Sequence, residues 1–167
     1  VHPRARRHIE PIVVSWGASL GGRPATWHDE YLWSGTRDPA PFLAVPAAIE
    51  FLERLDFGNV RGLDAFRSWS HGLVRLAREQ ITRLTGLEPF VPDDPAWCGT
   101  MISLPLPDYI AEPTDGHMHP LQVALWERFQ IEAPIVNWRG RRFIRVSCHL
   151  YNDSGDIDRL AFALEEL

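Results

Sequence analysis

At 167 residues with 45% hydrophobic side chains, the chain is long enough to bury one ordinary core or parts of two. A formal charge of −5 and a pI near 5.8 argue against a nucleic-acid-binding surface. No apolar run approaches the ~20 residues that span a bilayer.

All 17 strongly basic side chains are Arg; the sequence contains no Lys. The N-terminus, VHPRARRHIE, has a basic start but no apolar stretch behind it, so no secretory signal is expected there. A first residue other than Met points to a processed N-terminus or to a piece of something longer. Two cysteines, Cys98 and Cys148, are too few for a disulfide framework or a zinc site. They are read as reduced thiols of a cytoplasmic protein.

Taken along the chain, IEPIVVSWG (Ile9 to Gly17) is a β-branched apolar run closed by Gly and predicts a buried strand. The polar stretch from Ala18 to Glu30 predicts a loop. From Pro41 to Leu55, Phe42, Val45, Ile49 and Leu52 recur at helical spacing, so a helix packed on a core is expected. Gly58 to Gly62 breaks it. A long amphipathic helix follows from Leu63 to Leu84, with Leu73, Leu76, Ile81 and Leu84 on one face and Gly86 as its stop.

The second half is richer in strands. PFVPDDPAW is a Pro-rich turn region, and GTMISLPLP is a strand ended by prolines. His119 to Phe129 has helical spacing, with Pro120 tolerated in the first turn. IEAPIVNW predicts a strand, and Asn137-Trp138-Arg139-Gly140 a turn into RRFIRVSCHLYN. Alternation there puts Phe143, Arg145, Ser147 and His149 on one face, and Ile144, Val146, Cys148 and Leu150 on the other. Ser154 to Leu167 predicts an amphipathic helix capped by Asn152, Asp153 or Ser154. The order α, β, α, β, β, α describes an α/β layer.

Two segments carry chemistry. WSGTRDPAPFLAVPAAIEFL (Trp33 to Leu52) places a Gly-Thr turn before an Ala-rich helical run, where a hydroxyl and free peptide N–H groups attract phosphate. RVSCHLYNDSGDIDRLAFAL (Arg145 to Leu164) carries the pattern Arg-x-Ser-x-x-x-Tyr-Asn-x-x-x-Asp-Ile-Asp-x-Leu. Together they resemble the C-terminal half of class V aminotransferase-fold enzymes, which use pyridoxal 5'-phosphate (PLP), and within that family the isopenicillin N epimerase-like branch. The resemblance covers essentially the whole chain.

It implies an aminotransferase fold of type I, with 1–60 closing the large cofactor-binding domain and 61–167 forming the small α/β C-terminal domain. Gly35 and Thr36 match the position that donates to the cofactor phosphate of the neighbouring subunit in a homodimer. For Thr36 an ordinary helix N-cap is a compatible alternative. Arg145 matches the arginine that grips the substrate α-carboxylate, a task suited to a planar fork of donors. A surface strand charge is its plain alternative.

The Schiff-base lysine of this family lies upstream of the segment that the resemblance covers. With no Lys, this chain supplies no catalytic residue of that kind and is not expected to be active alone. Cysteine desulfurases of this fold carry a nucleophilic Cys shortly before the substrate arginine. Here Asn137 to Phe143 holds none, which disfavours sulfur transfer. Epimerisation, transamination or another reaction at Cα of an amino-acid-like substrate is what the resemblance leaves. The competing reading is a non-catalytic binding or regulatory module built on the same fold.

Weaker signals are His28, a candidate substrate contact in the loop before Gly35-Thr36 or simply a loop residue, and Arg37-Asp38, read as an ion pair closing a turn. His117-Met118-His119 is read as a solvated loop rather than a metal pair, and no metal site is expected. Trp126, Phe129 and Trp138 are read as core packing before pocket.

Overall fold

The computed structural model describes residues 1–17, 22–108 and 118–167. Ala18 to Gly21, part of the expected first loop, and His117 lie outside the described residues. The chain divides into two compact units, Val1–Ala48 and Ile49–Leu167.

The described residues of the first unit form three short helices, α1 (Pro3–Arg6), α2 (Trp27–Leu32) and α3 (Ala40–Leu43); α4 (Val45–Glu53) begins in it and crosses the boundary. The expected strand at Ile9 to Gly17 is not formed. Ile12 and Val14 are almost fully exposed, and the described residues of this unit contain no strand to pair with them. Apolar β-branched residues favour extended backbone, but a strand exists only where its N–H and C=O groups find a partner.

The predicted loop through Glu30 is also corrected, because α2 starts inside it. Thr26 accepts from the Asp29 N–H while Asp29 accepts from the Thr26 N–H at 2.7 Å, a reciprocal cap. The Arg23 guanidinium meets both oxygens of Asp29, at 2.7 and 3.0 Å, and holds its carboxyl well below the usual carboxylate range. Gly17 packs so closely on α2 that a Cβ there would strike the Asp29 carbonyl oxygen.

Helices α3 and α4 appear where the apolar spacing put one, but their expected packing does not. Neither has a buried residue; Phe42, Val45 and Ile49 are exposed. The spacing is that of a helix whose partner surface is absent from the described residues of this chain.

The second unit holds the core. α5 (Gly62–Thr85) buries Leu73, Val74, Ala77 and Ile81 and ends at Gly86 with φ 68°, the left-handed stop that Gly adopts without strain. β1 (Met101–Leu106), β2 (Ile135–Trp138) and β3 (Arg141–Ser147) form an antiparallel sheet in the order β1-β3-β2. Leu104 and Ile135 both pair with Ile144, and Ser103 pairs with Arg145. Arg139 and Gly140, both at positive φ, close the two-residue turn between β2 and β3.

One sheet face carries Ile102, Leu104, Ile144 and Val146 into a core completed by α5, by Leu121 and Leu125 of α6 (Pro120–Phe129), and by Ile157, Leu160 and Ala163 of α7 (Ser154–Glu165). The α7 cap is Asp153, which exchanges hydrogen bonds with Asp156. His119 corrects the solvated-loop reading: it is buried, and its Nδ1 accepts from the Leu121 N–H at 3.1 Å to cap α6.

Burial pushes the Cys148 thiol up to about 11, with the Asp156 carboxylate adding to the shift. The native state therefore keeps this proton while the unfolded chain loses it near pH 9. Stability from this group is intact below pH 9 and falls as pH rises toward 11. Iodoacetamide at pH 8 should leave Cys148 unmodified in the native protein and label it once denaturant is added, as read by peptide mass spectrometry. Rapid native labelling of Cys148 would contradict this burial.

Candidate functional site

Alternation along β3 separates two neighbours with opposite environments. Ile144 is fully buried on the core face, whereas Arg145 is exposed on the other face beside Ser103 of β1. The Arg145 backbone N–H donates to the Pro134 carbonyl at 2.9 Å, so the strand holds its Cα firmly while the guanidinium stays at the surface. Among the described residues no carboxylate pairs with it. A fixed stem, an open fork and no internal counter-ion suit a residue that takes a carboxylate from outside.

Gly35 and Thr36 lie in the bend before α3, in the first unit. The expected helix start at Thr36 is corrected. α3 begins at Ala40 after Pro39, and the Asp38 carboxylate accepts from the Ala40 N–H at 2.9 Å. Gly35 sits at φ 134°, a backbone conformation that L side chains rarely adopt. Thr36 is exposed, and among the described residues neither its hydroxyl nor its N–H makes a hydrogen bond. Those unspent donors around a positive-φ glycine fit the edge of an anionic group such as a phosphate.

The Arg37-Asp38 ion pair is not formed. Arg37 donates to the Leu32 carbonyl at 3.0 Å and stacks 5.0 Å from the Phe42 ring centroid. His28 is exposed on α2, edge-on to Trp27 at 5.4 Å.

Beside Arg145, on its own face of the sheet, runs a groove of about 430 Å³ that sequence reasoning missed. Met101 and Ser103 of β1, Val136 and Trp138 of β2 and Phe143 of β3 line the sheet side. Phe90, Val91, Trp97 and Cys98 line the other. The segment bearing Phe90 and Val91 is tied to α5: Arg78 donates to the Val91 carbonyl at 2.7 Å, and Arg75 pairs with Asp93 at 2.9 Å. Phe90 then packs 5.2 Å from Phe143 and 5.9 Å from Trp138.

The expectation of core packing for Trp126 and Trp138 is corrected: both are about half exposed, and Trp138 walls the groove. Phe129 does pack against the core, partly buried. Among the described residues no three His, Cys, Asp or Glu side chains converge as metal ligands, and no helix is long and apolar enough to cross a membrane.

A three-stranded antiparallel sheet with helices α5, α6 and α7 on its core face defines the class as an α/β arrangement. A cysteine desulfurase from Escherichia coli superimposes on 86% of this chain with a TM-score of 0.58 at 21% identity, using 33% of that protein. The isopenicillin N epimerase of Amycolatopsis lactamdurans is 39% identical over 95% of this chain, and that of Streptomyces clavuligerus 32% identical over 99%. A putative L-cysteine desulfhydrase of Oryza sativa subsp. japonica is 26% identical over 81%. No family model matches the chain. The chain belongs to the class V aminotransferase-fold family and is similar, within it, to the isopenicillin N epimerases. It spans about two-fifths of the length of those two epimerases, 39% and 41%.

Proposed function

We propose that this chain is the carboxylate-gripping and phosphate-contacting part of a PLP-dependent enzyme that works at Cα of an amino-acid-like substrate, as in epimerisation or transamination. Its setting is a homodimer in the cytoplasm. The observation that carries the reading is Arg145, strand-fixed, exposed and without a carboxylate partner among the described residues. It stands at the head of the long Arg-x-Ser-x-x-x-Tyr-Asn motif.

Bound PLP supplies electron withdrawal from the substrate Cα. The work of this chain is positional. Arg145 takes the α-carboxylate through two parallel N–H bonds and so fixes which Cα bond is presented. Gly35 and Thr36 offer N–H and hydroxyl donors to the phosphate. Covalent attachment falls to a residue outside these 167, because none of them is Lys.

The test uses the complete gene product. Borohydride treatment in the presence of PLP should trap one cofactor per subunit on a lysine outside this chain. Cα–H exchange of an amino acid in D₂O should follow, and Thr36→Ala should weaken PLP retention on gel filtration. A complete protein that neither binds PLP nor exchanges Cα–H would overturn the reading in favour of a binding module.

A further inference from the structure

We propose that the groove between β1–β3 and the Phe90–Cys98 segment receives the side chain of the substrate, and that this substrate is an amino acid with a bulky, apolar side chain. The inference rests on reading Arg145 as the carboxylate site.

Position comes first. Ser103, which lines the groove, is the cross-strand partner of Arg145. A ligand whose carboxylate sits at Arg145 therefore has the groove as its nearest concave surface on the same sheet face. The remaining lining is apolar apart from the Ser103 hydroxyl and the Cys98 thiol: Phe90, Val91, Trp97, Met101, Val136, Trp138 and Phe143 contribute most of it. About 430 Å³ lies within the range of small-molecule sites.

Charge decides what kind of apolar ligand fits. No acidic residue lines the groove. Two of its rings carry a guanidinium on one face, Arg141 at 4.4 Å from the Phe90 centroid and Arg139 at 4.7 Å from that of Trp138. Neither arginine pairs with a carboxylate among the described residues. Arg139 holds its place at φ 50°, in a turn position where Asn or Gly is the favoured residue. Arg145 near Ser103 and this pair by Phe90 and Trp138 put three guanidinium groups on the sheet side of the groove. Of the two carboxylates in the opposite segment, Asp93 is already paired with Arg75, and neither Asp93 nor Asp94 lines the groove. The groove suits an anion with an apolar body and repels a cationic side chain.

The test uses the complete protein and compares phenylalanine, alanine and lysine, by calorimetric binding and by Cα–H exchange in D₂O. Phenylalanine should bind at least ten times more tightly than alanine, and lysine should bind weakest. Two independent variants probe the groove: Trp138→Ala removes a wall, and Met101→Trp fills the space. Each should lower the phenylalanine-to-alanine ratio at least tenfold, whereas Arg145→Ala should weaken binding of both amino acids alike.

Equal effects of both groove variants on phenylalanine and alanine, or no phenylalanine binding at all, would overturn the proposal. Groove-dependent phenylalanine binding without PLP-linked exchange would support the groove and sink the enzymatic reading instead. Exchange that proceeds with no size preference would do the reverse.

Discussion

Replacing Arg145 with alanine in the complete protein is expected to cost about 2–4 kcal/mol of substrate binding or transition-state stabilisation, roughly a 30- to 800-fold loss in kcat/KM. Two parallel charge-assisted hydrogen bonds to a carboxylate are lost together. The fold should be almost untouched. The strand bond from the Arg145 N–H to the Pro134 carbonyl survives the substitution, and the side chain is exposed. Lysine should rescue in part, keeping the charge while losing the fork. Turnover of every amino-acid substrate unchanged in Arg145→Ala would remove the carboxylate role.

One residue earlier the expectation inverts. Ile144→Ala should lower the stability of the second unit by about 2–5 kcal/mol, because the fully buried side chain leaves a cavity that its neighbours fill only partly. Ile144 lies at the centre of the sheet, facing Leu104 on one side and Ile135 on the other. Its face packs into the core closed by Val74, Ala77 and Leu125. Ile144→Val should cost only about 0.5–1.5 kcal/mol. Denaturant titration of both variants beside Arg145→Ala makes the comparison direct. The midpoint should fall steeply for Ile144→Ala and hardly move for Arg145→Ala, with the slope unchanged in both. Comparable destabilisation at 144 and 145 would contradict the assignment of faces.

This two-residue contrast was legible in the sequence because a strand has period two and Ile144, Val146 and Cys148 are apolar while Arg145, Ser147 and His149 are polar. Phe143 breaks the rule instructively. It shares the Arg145 face yet is buried, because Phe90 packs on it from 53 positions back in the chain. The same long-range closure hid the groove. Phe90 and Trp97 sit in a Pro-rich stretch with no period to read, and Trp138 sits at a strand end. Nothing local brings the three together.

The first unit failed for a different reason. Its apolar residues at Ile12, Val14, Phe42, Val45 and Ile49 carry the right periodicities, but the described residues offer them no partner. The α2 start is encoded locally, since Thr26-x-x-Asp29 is a capping pattern, although it directly follows the loop-forming Gly22 and Pro24.

The sequence by itself determined whatever depends on spacing within one element. That includes the extent of α5 and its Gly86 stop, the start of α7 within Asn152 to Ser154, the turn at Arg139-Gly140, and the exposure of Arg145 against the burial of Ile144. These are set by backbone sterics and side-chain period over a few residues, which the local sequence contains in full. The tertiary structure alone decided where unlike elements meet: the groove beside Arg145, the burial of Phe143 and His119, and the exposure of α3 and α4. Burial depends on surfaces contributed from distant positions, and an apolar stripe specifies that it needs a partner without specifying which one.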